Sequence, residues 1–209
     1  MYISQAGKSV RAKANKNAIK NKFSKTVQSQ FLRFQTDYPE SPFLPALLRS
    51  LGDALDFQHL NSGKEYQVEI GSISNLEELS KLYPDKLLYI DIWASWCGPC
   101  KMEFVHPHKN LDSFISENKI QPIYISIDDS SKLDVCSQII QFYTLKGGHY
   151  LANSTLIDSL QNTLNKGKSF PIPRYLIVGP DGHILEIDAY RPSAENLLIE
   201  QLKKHLNKK

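Results

Sequence analysis

Hydrophobic positions change period along this chain. Ile19, Phe23, Val27, Phe31 and Phe34 recur every three or four residues, the repeat of a helix face, and predict a helix from about Arg11 to Gln35. Asp37-Tyr38-Pro39 ends it. Ser41-Pro42 supplies a cap and a first-turn proline. Leu44, Leu47, Leu48, Leu51 and Leu55 then share one face, up to a break near Asn61-Ser62-Gly63. Residues 1–62 therefore read as an N-terminal helical segment. It is too small to bury a core alone, so it should pack on the rest of the chain or on something outside it.

From 63 to 209 the pattern alternates between strand and helix. Tyr66, Val68 and Ile70 suggest a short strand, and Ser74 a cap for a brief helix through Leu76 and Leu79. Lys86–Ala94 is almost continuously apolar, as suits a central strand covered on both faces. A helix is expected from Gly98 to Asn118, then a buried strand over Ile120–Ile127 and helices over Leu133–Tyr143 and Ser154–Leu164. Gly147-Gly148-His149-Tyr150 reads as a loop able to border a site, with His149 at the surface. Arg174–Val178 and His183–Ile187 flank the turn Gly179-Pro180-Asp181-Gly182 as a hairpin. Ser193 caps a last helix carrying Leu198, Leu202 and Leu206. This order is that of an α/β layer fold with a mixed sheet.

The 209 residues suffice for one substantial core plus an accessory segment. No apolar run is long enough to span a bilayer. The net charge of +3 conceals an asymmetry: Met1 to Thr36 holds eight Lys or Arg and no Asp or Glu, leaving the remainder near −5. A basic stretch can attract nucleic acid or anionic lipid, but no nucleic-acid motif accompanies it, so a solvated helix face is the expectation. MYISQAGKSV lacks the apolar stretch of a signal peptide. The chain is thus read as cytoplasmic, or as the mature or trimmed form of a longer protein.

The chemistry concentrates in WASWCGPCKMEF, Trp93 to Phe104. A cysteine pair three apart can bind metal, form a structural disulfide, or cycle between dithiol and disulfide. Zinc needs four ligands, and only Cys136, His106 and His108 are near in sequence. A structural bridge closing so small a loop stabilises little. Cys97 stands where a strand gives way to a helix, whose unpartnered amides and dipole favour a thiolate. Cys100 lies one turn on, on the same face, with Gly98 and Pro99 stiffening the turn. Cys97 is therefore expected to attack a disulfide and Cys100 to resolve the adduct. Cys136 is expected to be a buried or half-buried free thiol.

YIDIWASWCGPCKMEF resembles the active-site region of the thioredoxin superfamily, and more narrowly that of TlpA/ResA-type extracytoplasmic thiol–disulfide oxidoreductases. FPIPRYLIVGPDGHIL, Phe170 to Leu185, matches the same family's proline segment, strand and hairpin. The resemblance covers about Lys64 to Lys209 and implies a thioredoxin-like three-layer α/β/α sandwich with a mixed central sheet. It places Pro173 where the family has a cis-proline, so the backbone of Ile172 would face the cysteines and pair with an extended substrate. It makes Asp91 the group that takes the resolving cysteine's proton; the bland alternative is a hydrated strand end. It makes Glu103 a tuner of the cysteine pair; the alternative is an exposed helix glutamate. Trp96 would shield the disulfide and, with Gly98 and Pro99, offer a substrate platform, unless it belongs to the core. The family's proline soon after the glutamate is missing: Val105 follows Phe104 and proline comes only at Pro107.

The expected activity is dithiol–disulfide exchange with protein substrates, as a reductase, without metal or other cofactor. An upstream thiol donor would resupply electrons. The family implies a periplasmic or otherwise extracytoplasmic place, with a membrane tether only through a region preceding this chain. Two rival classes are a thiol peroxidase and a binding module with idle cysteines. Ala94 stands where the first would need Thr, and the intact Cys97, Cys100 and Pro173 argue against the second.

Overall fold

The computed structural model describes residues 68–105 and 108–206, with 33, 34, 36–41 and 43. The expected N-terminal helices therefore lie almost wholly outside the described residues. Only a tail is seen: 33, 34, 36 and 37 are helical and Tyr38 is not, its N–H donating to Phe34 C=O at 2.9 Å.

Among the described residues six strands make one sheet: β1 (Val68–Ile70), β2 (Leu87–Trp93), β3 (Ile120–Ser126), β4 (Gly148–Leu151), β5 (Arg174–Val178) and β6 (Ile184–Glu186). Their order is β1-β4-β3-β2-β5-β6. β1, β4, β3 and β2 run parallel, while β5 lies antiparallel to β2 and β6 antiparallel to β5. The helices are α1 (Leu76–Lys81), α2 (Gly98–Val105), α3 (Lys109–Glu117), α4 (Leu133–Phe142), α5 (Ser154–Asn165) and α6 (Glu195–Leu206).

All seven residues of β2 are buried, and strand alternation divides them between two cores. Leu88, Ile90 and Ile92 pack with Leu76 and Leu79 of α1 and Leu156 and Leu160 of α5. On the other face, Leu87 and Tyr89 meet Leu111 of α3 and Leu198 and Leu202 of α6. Also on that face, Trp93 joins both active-site cysteines and α4. The result is a three-layer α/β/α sandwich. Each fully buried Leu or Ile contributes roughly 1.5–3 kcal/mol, so apolar packing on both faces dominates its stability.

The structure departs from the sequence reading in four places. The helix expected from Gly98 to Asn118 is two helices, α2 ending at Val105 and α3 starting at Lys109; the sequence between them holds a proline, a residue that cannot continue a helix without losing an N–H donor. Asn75, not Ser74, caps α1: its side chain accepts the Glu78 N–H at 2.9 Å, and Glu78 reaches back to the Ser74 N–H at 2.7 Å. Gly147–Tyr150 is not a loop throughout: Gly148–Tyr150 belong to β4, which fills the gap between β1 and β3, and Gly147 alone stays outside the strand, in the wall of a cavity that Asp91 and Glu103 also line. His149 is consequently 3% exposed and stacks on Tyr124, its ring held at low pKa, about 4, by burial. Finally, α6 begins at Glu195, after a 3₁₀ turn over Pro192–Ala194, and Ser193 is spent elsewhere.

Candidate active site

Because β2 is paired on both sides, its exit is fixed. Trp93 C=O accepts the Ile127 N–H at 2.9 Å, and Cys97 N–H closes a turn onto Ala94 C=O at 3.0 Å. Helix α2 starts at the next residue, Gly98, with Pro99 in its first turn, where the missing N–H costs nothing. Cys97 and Cys100 are joined by a disulfide, their Cα atoms 5.3 Å apart. The Cys100 N–H donates to Cys97 Sγ at 3.1 Å. An amide aimed at this sulfur from the first turn of a helix would stabilise negative charge on it once the bond opens. Both cysteines are buried, Cys97 at 3% exposure and Cys100 at 0%. The exposed groups around them are Trp96, 67% exposed, Pro99 and Met102; Gly98 is half-buried. Trp96 is thus no core residue.

Asp91 lies in mid-strand, opposite Tyr124 of β3 and Tyr175 of β5, and is 3% exposed, not hydrated at a strand end. Burial pushes its carboxyl well above the usual range, the charge of Glu103 pushes the same way, and the Tyr175 hydroxyl opposes them more weakly. Its Oδ1 has no hydrogen-bond partner among the described residues. Glu103 is also buried, at 9% exposure, and not at the surface. Ser193 donates to it twice, backbone N–H to Oε2 and hydroxyl to Oε1, each at 3.0 Å, and Arg191 Nη1 stands 3.9 Å from Oε1. Asp91 and Glu103 both line a cavity of about 950 Å³, with Tyr89, His108 and Tyr124 in its wall.

The Ile172–Pro173 peptide bond is cis. Both residues are half-buried, and Ile172 packs on the cluster that holds Trp93, Cys97 and Cys100. Cys136 is a fully buried free thiol in that same cluster, its pKa raised to about 12, chiefly by burial.

Two sets of residues beside this site were not assigned to it from sequence, where Ser193 reads only as a helix cap. Ser193 and Arg191 reach Glu103 across about ninety positions, for which no local pattern exists. Asp128 is 5% exposed and its carboxylate gathers four donors. Ser95 N–H donates at 2.6 Å, Ser95 Oγ at 2.8 Å, Ser126 Oγ at 2.7 Å and Cys136 Sγ at 3.3 Å.

The chain is similar to known proteins. The sequence model of the thioredoxin-like family matches residues 85–184. Thioredoxin of Coprinus comatus is 32% identical over 98 residues, covering 42% of this chain and 91% of that protein. Thioredoxin of Gallus gallus is 34% identical over 79 residues, covering 35% and 72%. The thiol–disulfide oxidoreductase ResA of Bacillus subtilis is 21% identical over 110 residues, covering 53% and 56%. Among solved structures, one of a thiol–disulfide oxidoreductase from Bacteroides vulgatus is 28% identical, covers 60% of this chain and 79% of that one, and superposes with a TM-score of 0.45. With its dithiol at the strand-to-helix junction and relatives matched over most of their own length, the chain belongs to the thioredoxin-like family of thiol–disulfide oxidoreductases.

Proposed function

We propose that this protein is a reductase of protein disulfides, working outside the cytoplasm in the manner of the TlpA/ResA type. The observation that carries the reading is the Cys97–Cys100 pair itself, with the Cys100 amide donated to Cys97 Sγ at the start of α2. The likeness to ResA supports the narrower type and the extracytoplasmic place. The Gly98-Pro99 dipeptide, the one found in reducing thioredoxins, supports the direction.

In the reduced protein the Cys97 thiolate attacks one sulfur of a substrate disulfide. A mixed disulfide forms and the other substrate sulfur leaves as a thiolate. Cys100 then gives its proton to Asp91 and attacks Cys97 Sγ, expelling the second substrate sulfur and closing the Cys97–Cys100 bond. Two electrons have passed to the substrate, and an external thiol donor must return them. A raised proton affinity makes Asp91 a stronger base than an ordinary carboxylate. The cavity it shares with Glu103 gives the proton a way out. Trp96, Gly98 and Pro99 form the rim on which a substrate chain rests, and the backbone of Ile172 pairs with that chain as an added strand would. Main-chain pairing reads little of the side chains, so many protein substrates fit.

The reduction potential tests the direction. Equilibration with glutathione or dithiothreitol buffers should give a value near that of thioredoxin, about −270 mV, whereas one near that of DsbA, about −120 mV, would make the protein an oxidant.

A further inference from the structure

We propose that Asp128 is a positioning residue for the redox dithiol: its buried carboxylate fixes Ser95, and through Ser95 the turn that carries Cys97, to the end of β3. The residue lies two positions beyond β3, outside the helix, the strand and the proline segment that build the site.

The geometry is that of a clamp. Ser95 precedes Cys97 by two residues and is held at both its polar groups, the N–H by Oδ2 at 2.6 Å and the hydroxyl by Oδ1 at 2.8 Å. The carboxylate is itself braced. Ser126 Oγ donates to Oδ2 at 2.7 Å while accepting the Asp128 N–H at 3.1 Å, and the Cys136 thiol donates to Oδ2 at 3.3 Å. Ser95, Ser126, Asp128 and Cys136 are all buried, so these donors have little access to water. Removing the acceptor would leave buried donors unsatisfied, which the turn would relieve by moving.

The clamp matters most in the reduced protein. In the oxidised form the disulfide holds Cys97 in place. Once it opens, the backbone on either side of Cys97 decides whether its sulfur stays against the Cys100 N–H, and Asp128 holds the upstream side. A fixed negative charge could act the opposite way, by repelling the thiolate, and the two roles differ in sign. A clamp lowers the thiol pKa and stabilises the reduced form. A repelling charge raises the one and destabilises the other.

The test uses the full chain with Asp128→Ala, Asp128→Asn and Ser95→Ala. Two quantities are read: the pH profile of Cys97 alkylation in the reduced protein, and the dithiol–disulfide equilibrium in glutathione buffers. For Asp128→Ala the expected result is a Cys97 pKa about one unit higher and an equilibrium moved at least threefold towards the disulfide. Asp128→Asn, which keeps one acceptor oxygen, should fall between this variant and the parent. If Asp128→Ala does not fold, Ser95→Ala decides, since it removes only the hydroxyl bond: Cys97 alkylation below its pKa should slow at least threefold. Smaller changes in the folded variants, or a lower thiol pKa in both Asp128 variants, overturn the proposal. It rests on Cys97 being the attacking thiol. Alkylation of the parent at Cys100 first would sink that reading independently of Asp128.

Discussion

At Asp91 the chain keeps a carboxyl group between two apolar neighbours, Ile90 and Ile92, that are 0% exposed. In the unfolded chain this group ionises near 3.9. In the fold, burial and Glu103 hold the proton to higher pH. The unfolded state therefore sheds its proton first. The stability contributed by the neutral carboxyl is complete below about pH 4 and drains away as pH rises through the folded pKa. Asp91→Asn has no charge to bury. It should be more stable than the parent by about 1 kcal/mol or more at pH 8, with the gain shrinking towards pH 4. Urea unfolding of the oxidised proteins at pH 4, 6 and 8 measures this, and a gain independent of pH would contradict it. The same variant should slow resolution by Cys100 more than first attack by Cys97, as stopped-flow single turnovers would show.

Among the elements, β4 carries the clearest lesson about what the sequence discloses. Its residues follow one glycine and begin with another, and His149 comes next, so pattern alone reads a loop; only the sheet order shows a strand wedged between β1 and β3. The close approach is why Gly148 is glycine. A Cβ there would run into the Tyr83 hydroxyl and come within 2.9 Å of Ile123 Cδ1. Gly148→Ala should cost roughly 1–3 kcal/mol in chemical unfolding through overpacking, with the thiol chemistry of Cys97 little changed. A loss under about 0.5 kcal/mol would mean that the strand yields. The strands β2 and β5 were legible because their apolar runs report burial on both faces, and β3 because Ile120, Ile123 and Ile125 mark its buried positions. The split between α2 and α3 was half-legible, since Pro107 was visible while the helical periodicity ran through it. The partners of Glu103 and Ser95 were not legible at all, because Ser193 and Asp128 meet them only once the sheet has formed.

Over the whole molecule, the sandwich brings three distant stretches of sequence to one place. These are the end of β2 with α2, the Ile172–Pro173 segment before β5, and the Asp128 turn after β3. The cysteine motif and the proline segment were readable in advance because each has its own local spacing. The third cysteine, Cys136, could be placed only by the fold, which sets it in the same buried cluster as the reactive pair with its thiol pKa near 12. A thiol so protonated and buried cannot compete as a nucleophile. In the proposed mechanism Cys97 attacks and Cys100 resolves. Incubating reduced Cys100→Ser protein with a disulfide-bonded protein such as insulin, then mapping the adduct by mass spectrometry, tests it most directly. The predicted result is a stable one-to-one mixed disulfide through Cys97, released by dithiothreitol. An adduct through Cys136, or none at all while Cys97→Ser forms one through Cys100, would contradict it.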